Sequence, residues 1–322
     1  MDKIVWGIIG CGNVTEVKSG PAFNKVENSS LAAVMRRDKT LAQDYAQRHH
    51  VKKWYSNADE LINDQDVNAI YIATPPDSHE QYTIAAFKAG KPVYVEKPMA
   101  LNSSEARRML EASEKHSCKL SVAHYRRAQP RFLEIRNLIN NNTLGEIRSA
   151  EISLFQAPTP GVADTWRVNP SISGGGLFHD LAPHQLDLML YFFGEPKSVK
   201  GSSSNRGKIY QADDYVTADI IFGENVPFKG TWDYTVTPDK ELDLCEIKGT
   251  KGTLRFPIFT DGCQLTLESQ TKDLHFPPMP HVQQPMIEQV VNYFLDKGPN
   301  PCSASEALIV MEMMDRVCGK LK

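Results

Sequence analysis

Ile4-Val5-Trp6-Gly7-Ile8-Ile9-Gly10-Cys11-Gly12-Asn13-Val14-Thr15 joins a short apolar run to a two-glycine turn, and its reading decides the fold of the first third of the chain. An apolar run without polar alternation is the pattern of a strand covered on both faces. Glycines at 10 and 12 permit a tight turn and let a pyrophosphate approach bare N–H groups where a helix begins. Thr15 stands where that fingerprint has its third glycine, and a plain strand-to-helix turn is the competing reading. Further strands are predicted at 31–35, 68–74, 92–96 and 119–123. Helical spacings separate them: Leu41, Tyr45 and His49, then Tyr82, Ala85, Ala86 and Ala89, then Ala106, Met109, Leu110 and Ser113. Strands alternating with helices require right-handed crossovers and a parallel sheet, which makes this an α/β domain.

After residue 123 the texture changes. A helix is predicted over 129–140, with Phe132, Ile135 and Ile139 along one line. Strand-like stretches then dominate, at 147–155, 197–203, 216–222, 228–236, 242–248 and 252–256, bounded by Gly and Pro turn signals. Helices are predicted near 181–193, 286–295 and 305–317. The pattern is that of an α+β domain on a mostly antiparallel sheet. Two domains are therefore expected, an α/β domain at 1–123 and an α+β domain at 124–322.

Composition excludes several classes. The 322 residues are 41% hydrophobic and 23% charged, ordinary values for a folded globular chain. Residues 1–123 carry 16 basic and 15 acidic side chains and 124–322 carry 20 and 24, so neither part is a basic nucleic-acid module. Six cysteines, at 11, 118, 245, 263, 302 and 318, include no Cys-x-x-Cys pair. That spacing suits a reducing compartment better than a disulfide scaffold. No window is apolar and long enough to span a bilayer, and a cytoplasmic protein without membrane or nucleic-acid partners is expected.

The residues that carry chemistry lie at predicted strand ends. Met35-Arg36-Arg37-Asp38 follows the second strand, where an acidic residue suits the ribose of NAD and an arginine suits the 2′-phosphate of NADP. Asp38 fits a helix N-cap. Thr74-Pro75-Pro76-Asp77-Ser78-His79 leaves the third strand by a route that prolines keep non-helical. Glu96-Lys97-Pro98 ends the fourth and offers Lys97 as an acid or a positive anchor for a substrate hydroxyl. In the second half, Trp166-Arg167 precedes Gly174-Gly175-Gly176-Leu177-Phe178-His179-Asp180-Leu181-Ala182-Pro183-His184. Asp180 and His184 are four apart and share a helix face, and an imidazole beside a carboxylate is a usable proton shuttle. Pro183 suits only a first turn, so the helix is expected to start near Asp180. Two readings compete: His184 as a core histidine, and a metal held by His179, Asp180 and His184, for which no fourth ligand suggests itself, so no metal is expected.

Gly10–Val14 as a turn, 74–79, Glu96-Lys97-Pro98 and 174–184 together resemble, in order and spacing, the Gfo/Idh/MocA oxidoreductases. The resemblance implies a Rossmann domain, a second domain whose open sheet forms the substrate site and often an oligomer interface, and a catalytic set of Lys97, Asp180 and His184. It points to hydride transfer between a nicotinamide cofactor and a CH–OH or carbonyl group of a sugar, cyclitol or related polyol. The cofactor contacts expected are Gly10, Gly12, Asn13, Val14, Arg36, Arg37, Thr74, Pro75, His79, Glu96 and Lys97, with NADP(H) preferred over NAD(H). Tyr125, Arg126, Trp166 and Arg167 are weaker candidates for substrate contact. A homodimer or homotetramer through the C-terminal sheet is expected. A glycosidase using nicotinamide transiently and a non-catalytic nucleotide sensor are the rival functions.

Overall fold

The computed structural model describes residues 2–321. They form two compact units, one of residues up to 129 together with 278–308, the other of 130–277 together with residues from 309 onward. The first unit alternates β1 (Ile4–Ile9), α1 (Asn13–Val17), β2 (Ser29–Met35), α2 (Lys39–Arg48), β3 (Lys53–Tyr55), α3 (Ala58–Ile62), β4 (Ala69–Ile72), α4 (His79–Lys88), β5 (Val93–Val95), α5 (Ser103–His116) and β6 (Leu120–Val122). The strands make one parallel sheet in the order β3-β2-β1-β4-β5-β6. That is the doubly wound order, whose direction reverses between β1 and β4, where such sheets bind ligands at their carboxyl ends.

Register sets what meets at that edge. Ile9 pairs with Met35 on one side and Ile72 on the other, and Ile72 pairs with Val95. The residues that follow, Gly10, Arg36, Ala73 and Glu96, therefore leave the sheet side by side. Backbone bonds extend the alignment past the strands: Gly10 N–H to the Met35 carbonyl (2.9 Å), Ala73 N–H to Ile9 (2.8 Å) and Glu96 N–H to Ile72 (2.9 Å).

The second unit contains α6 (Pro130–Asn140), β7 (Ile147–Phe155), α7 (Pro170–Ser173), α8 (Leu177–Phe193), β8 (Pro196–Ser204), β9 (Tyr215–Phe222), β10 (Val226–Asp233), β11 (Leu242–Gly249), β12 (Gly252–Phe256), β13 (Gln264–Leu267) and β14 (Gln270–Asp273). Its eight strands run β14-β13-β12-β11-β7-β10-β9-β8, antiparallel except for the pair β7 and β10. Helix α8 packs on this sheet. The Phe178 ring meets Trp232 edge-on at 4.9 Å, and the Trp232 indole N–H donates to Gln185 Oε1 at 2.6 Å.

Helix α8 corrects one expectation. It starts at Leu177, so Pro183 lies inside it and not in its first turn. Twelve of its seventeen residues are buried, Pro183 among them, and packing on this scale outweighs the roughly 3 kcal/mol that an interior proline costs. Gly176 makes the early start feasible: at φ +82° it turns the chain into the helix, and a Cβ there would lie 2.5 Å from Ala212 Cβ.

Two helices close the chain, α9 (Gln284–Phe294) and α10 (Ala304–Val317). A single cut after residue 123 does not describe the units, because 278–308 packs with the first. Phe294 of α9 sits 5.6 Å from the Trp6 ring, and Met286, Ile287, Val290 and Val291 are buried with it. Lys119, just before β6, caps the end of α9 through the Tyr293 and Phe294 carbonyls at 2.8 and 3.1 Å.

Candidate active site

The glycine turn fits a dinucleotide. Gly10 has φ +94°, and a Cβ there would lie 2.7 Å from the Thr74 backbone nitrogen, so only glycine fits beside β4. At Gly12 the demand differs. An added Cβ would meet nothing closer than the Gly10 carbonyl at 3.9 Å, so the bare backbone here leaves room for something other than protein. Asn13 and Val14 begin α1 directly behind it. Thr15 packs without loss: it is fully buried, its hydroxyl donates to the Gly12 carbonyl at 2.8 Å, and its carbonyl accepts the Tyr45 hydroxyl at 2.8 Å.

Arg36 follows β2 and folds back on this turn, with Nη1 donating to the Cys11 carbonyl at 3.4 Å. Burial pushes the Cys11 thiol up to about 11 despite the Arg36 charge, so it remains a neutral, inert thiol. Arg37 is exposed. Asp38 is the N-cap of α2, accepting the Leu41 N–H at 3.0 Å.

Thr74 and Pro75 leave β4 beside Gly10, and His79 braces them from beneath. Its ring is fully buried, with Nε2 2.8 Å from the Thr74 carbonyl oxygen and Nδ1 3.0 Å from that of Pro98. Burial holds its pKa below the usual imidazole value. His79 thus lies between the two loops, its one N–H in the neutral ring donating to one of the two carbonyls.

Glu96, which precedes Lys97, is buried. Its Oε1 accepts from the Tyr71 hydroxyl and from Gln283 Nε2, both at 2.6 Å, and its Oε2 accepts the Lys97 N–H at 3.2 Å. Tyr71 and Gln283 were not among the expected site residues. Tyr125 and Arg126 lie buried in a short 3-10 turn of the same unit, with the guanidinium 5.6 Å from the Tyr125 ring.

In the second unit α8 presents Asp180 and His184 one turn apart. Arg167 Nε donates to Asp180 Oδ2 at 3.1 Å while its guanidinium stacks 4.7 Å from the Trp166 ring. Two of the four weaker candidates therefore act together, Trp166 holding Arg167 and Arg167 holding the carboxylate. His184 is buried, its ring 5.8 Å from Phe259. Two residues with no sequence motif lie in the same unit, Tyr234 near Asp180 and Tyr210 near Tyr234. The hydroxyls of Tyr210 and Tyr234 are buried without a hydrogen-bond partner. Burial, with Asp214 and Asp233 nearby, pushes the Tyr210 phenol up to about 12. Burial and the Asp180 charge raise that of Tyr234 well above the usual value. Both stay protonated, hence remain donors.

His179 argues against the metal reading. Its Nε2 faces the Lys320 ammonium at 3.3 Å, an arrangement that repels a cation from that nitrogen. Burial, then the Lys320 charge, lowers its pKa to about 3. The folded protein therefore keeps His179 neutral while the unfolded chain protonates it below about 6.5. Stability from this residue is complete above that pH and is lost as pH falls toward 3, at about 1.4 kcal/mol per pH unit. Between pH 6 and 4.5 that amounts to about 2 kcal/mol. Denaturant melts of wild type and His179→Asn across this range should differ in slope by one proton; parallel curves would show that His179 plays no such part.

Comparison with known proteins follows the same lines. Residues 4–124 match the family model described as "Oxidoreductase family, NAD-binding Rossmann fold", and 132–255 match the "GFO/IDH/MocA C-terminal domain". "Oxidoreductase P35" of Formosa agariphila is 47% identical over 321 residues, 98% of this chain and 99% of that protein. The scyllo-inositol 2-dehydrogenase (NADP(+)) IolW of Bacillus subtilis is 28% identical over 225 residues, 70% of this chain and 61% of its own. The fold matches that of levoglucosan dehydrogenase, solved in complex with NADH and levoglucosan, with TM-score 0.87 at 20% identity over 99% of this chain and 98% of that one. Two family models in the expected order, and a relative nearly half identical from end to end, agree with the register of the glycine turn and Glu96-Lys97: the chain belongs to the Gfo/Idh/MocA family of oxidoreductases.

Proposed function

We propose that the protein interconverts a CH–OH group and a carbonyl on a sugar, cyclitol or related polyol, with NADP(H) preferred over NAD(H). The observation that carries the reading is the register that brings Gly10, Arg36, Thr74 and Glu96-Lys97 out along one sheet edge. The names of the inositol and levoglucosan dehydrogenases, one NADP-dependent and one solved with NADH, support the substrate class and leave the cofactor choice to this chain's own residues. Among the described residues no helix is long and apolar enough to cross a membrane.

Gly10, Gly12, Asn13 and Val14 would hold the pyrophosphate, and Arg36 and Arg37 the adenosine end. The bound dinucleotide supplies a hydride acceptor or donor. His184 takes the hydroxyl proton on oxidation and returns it on reduction, Asp180 orients the imidazole, and Lys97 hydrogen-bonds the reacting oxygen. Arg167 fixes Asp180 for that task.

Tyr210 and Tyr234 are the donors left for the substrate's other hydroxyls. Tyr234→Phe should raise KM about tenfold and leave kcat within about threefold, the size of one lost neutral hydrogen bond. An unchanged KM would remove Tyr234 from the substrate site. The function itself is tested by a polyol and aldose panel followed at the nicotinamide absorbance with both cofactors. Cleavage of a chromogenic glycoside without net cofactor turnover would favour the glycosidase instead.

A further inference from the structure

The segment that returns to the first unit passes close to both ends of its functional edge. His281 Nδ1 lies 2.7 Å from the Val17 carbonyl oxygen, and the Gln283 N–H donates to the Lys18 carbonyl at 3.2 Å. Those two carbonyls end helix α1, which the glycine turn begins. The Gln283 side chain reaches elsewhere. Its Nε2 donates to Glu96 Oε1 at 2.6 Å, and its own Oε1 accepts from the Tyr94 hydroxyl at 3.3 Å. Gln283 is 1% exposed, and Tyr71 and Tyr94 are fully buried. Donors and acceptors close without conflict: Tyr94 to Gln283, Gln283 to Glu96, Tyr71 to Glu96, and the Lys97 N–H to the second carboxylate oxygen. Burial and the Glu96 charge raise both phenols well above their usual value, so they stay donors.

We propose that Gln283 is a positioning residue for Lys97, acting through Glu96, and that 281–283 is a strap that fixes the lysine and the dinucleotide turn in one frame. The proposal rests on the reading of Lys97 as catalytic. Its logic is that of a satisfied buried network, whose members hold one another in place. The Glu96 carboxylate is one residue from the Lys97 amine and is held by three donors. If one donor is removed, the carboxylate can turn, and the Lys97 N–H that it accepts is no longer held in one place. A lysine carried on loosened backbone is misplaced for the substrate.

The test is a double-mutant cycle in the full chain, measured well below the melting temperature of every variant. Gln283→Met should lower kcat about 10- to 30-fold, leave cofactor affinity by fluorescence titration within about threefold, and cause no further loss in a Lys97→Met background. A second readout needs no turnover. In cofactor-free protein, the rate at which acetic anhydride acetylates the Lys97 amine, scored by peptide mass spectrometry against the exposed Lys88, should change at least about threefold in Gln283→Met. Losses that multiply, a wild-type kcat, or an unchanged acetylation ratio each overturn the proposal. If Gln283→Met does not fold, Tyr71→Phe, which removes the other donor at the same oxygen, enters the same cycle under the same criteria. Failure of the underlying reading looks different. Wild-type turnover in Lys97→Met refutes the catalytic assignment, and the proposal with it, whereas an inactive Lys97→Met with multiplying losses refutes the positioning role alone.

Discussion

His184→Ala and Lys97→Met each lower turnover by at least about a hundredfold, within the range that a positioned acid or base contributes. Fluorescence titration finds the cofactor affinity of His184→Ala within about threefold of wild type, because its task is the proton and the pyrophosphate and adenosine contacts lie elsewhere. The two variants fail for different reasons. Methionine at 97 keeps the length of the side chain, and the backbone N–H that binds Glu96 is untouched; what goes is the donor to the reacting oxygen. Alanine at 184 removes the proton carrier and also opens a hole beside Phe259 in a buried stretch of α8. Loss of packing there costs stability, so His184→Gln, which fills most of the space but cannot shuttle a proton, is the control. If either position tolerates its replacement at wild-type rate on the true substrate, the catalytic set is wrong.

The parallel sheet of the first unit was legible because its strands are apolar runs closed by turn residues. Asp38 was legible as a cap, and the pair Asp180 and His184 as a helix face. What escaped did so for local physical reasons. Strand β3 is three half-buried residues, Lys53-Trp54-Tyr55, too short to show a period. Strands β13 and β14 are short, and β14 is fully exposed, so no buried face writes an alternation into its sequence. They are joined through Glu268 and Ser269, which take φ of +48° and +66° without the glycine that announces such a turn. In α2, Leu41 was expected to help form the buried line, yet it is 40% exposed, and Ala42, Tyr45 and Ala46 form the core face. The amphipathic pattern of α9 says that one face is buried and not what covers it, so its return to the first unit had no local mark. For the same reason Gln283, Tyr71, Tyr210 and Tyr234 were invisible. Each is an ordinary residue that matters because of a partner, or an orphaned hydroxyl, fixed by chain far away.

Arg36→Asp shifts the ratio of NADP(H) to NAD(H) affinity by at least about a hundredfold toward NAD(H). A charge-assisted hydrogen bond to a phosphate contributes about 1.5–3 kcal/mol, and a carboxylate in its place adds repulsion of the same phosphate. The structure supplies the placement. Met35 pairs with Ile9, so Arg36 emerges next to Gly10, and its guanidinium lies against the Cys11 carbonyl within the glycine turn. Arg37 is exposed, and its replacement by alanine should move the ratio only a few-fold. Asp38 was the one acidic residue near enough to argue for NAD(H), by reaching the ribose itself. It is occupied, since its carboxylate caps α2 through the Leu41 N–H. Asp38→Ala should therefore cost about 1 kcal/mol of stability, the usual loss of an N-cap, and leave the cofactor ratio where it was. Titrating both cofactors against the three variants separates the roles. Equal affinity of the wild type for the two cofactors would show that the arginines are merely solvated and overturn the NADP(H) preference, and a ratio that Asp38→Ala moves and Arg36→Asp does not would assign the ribose to Asp38 and make the preference NAD(H).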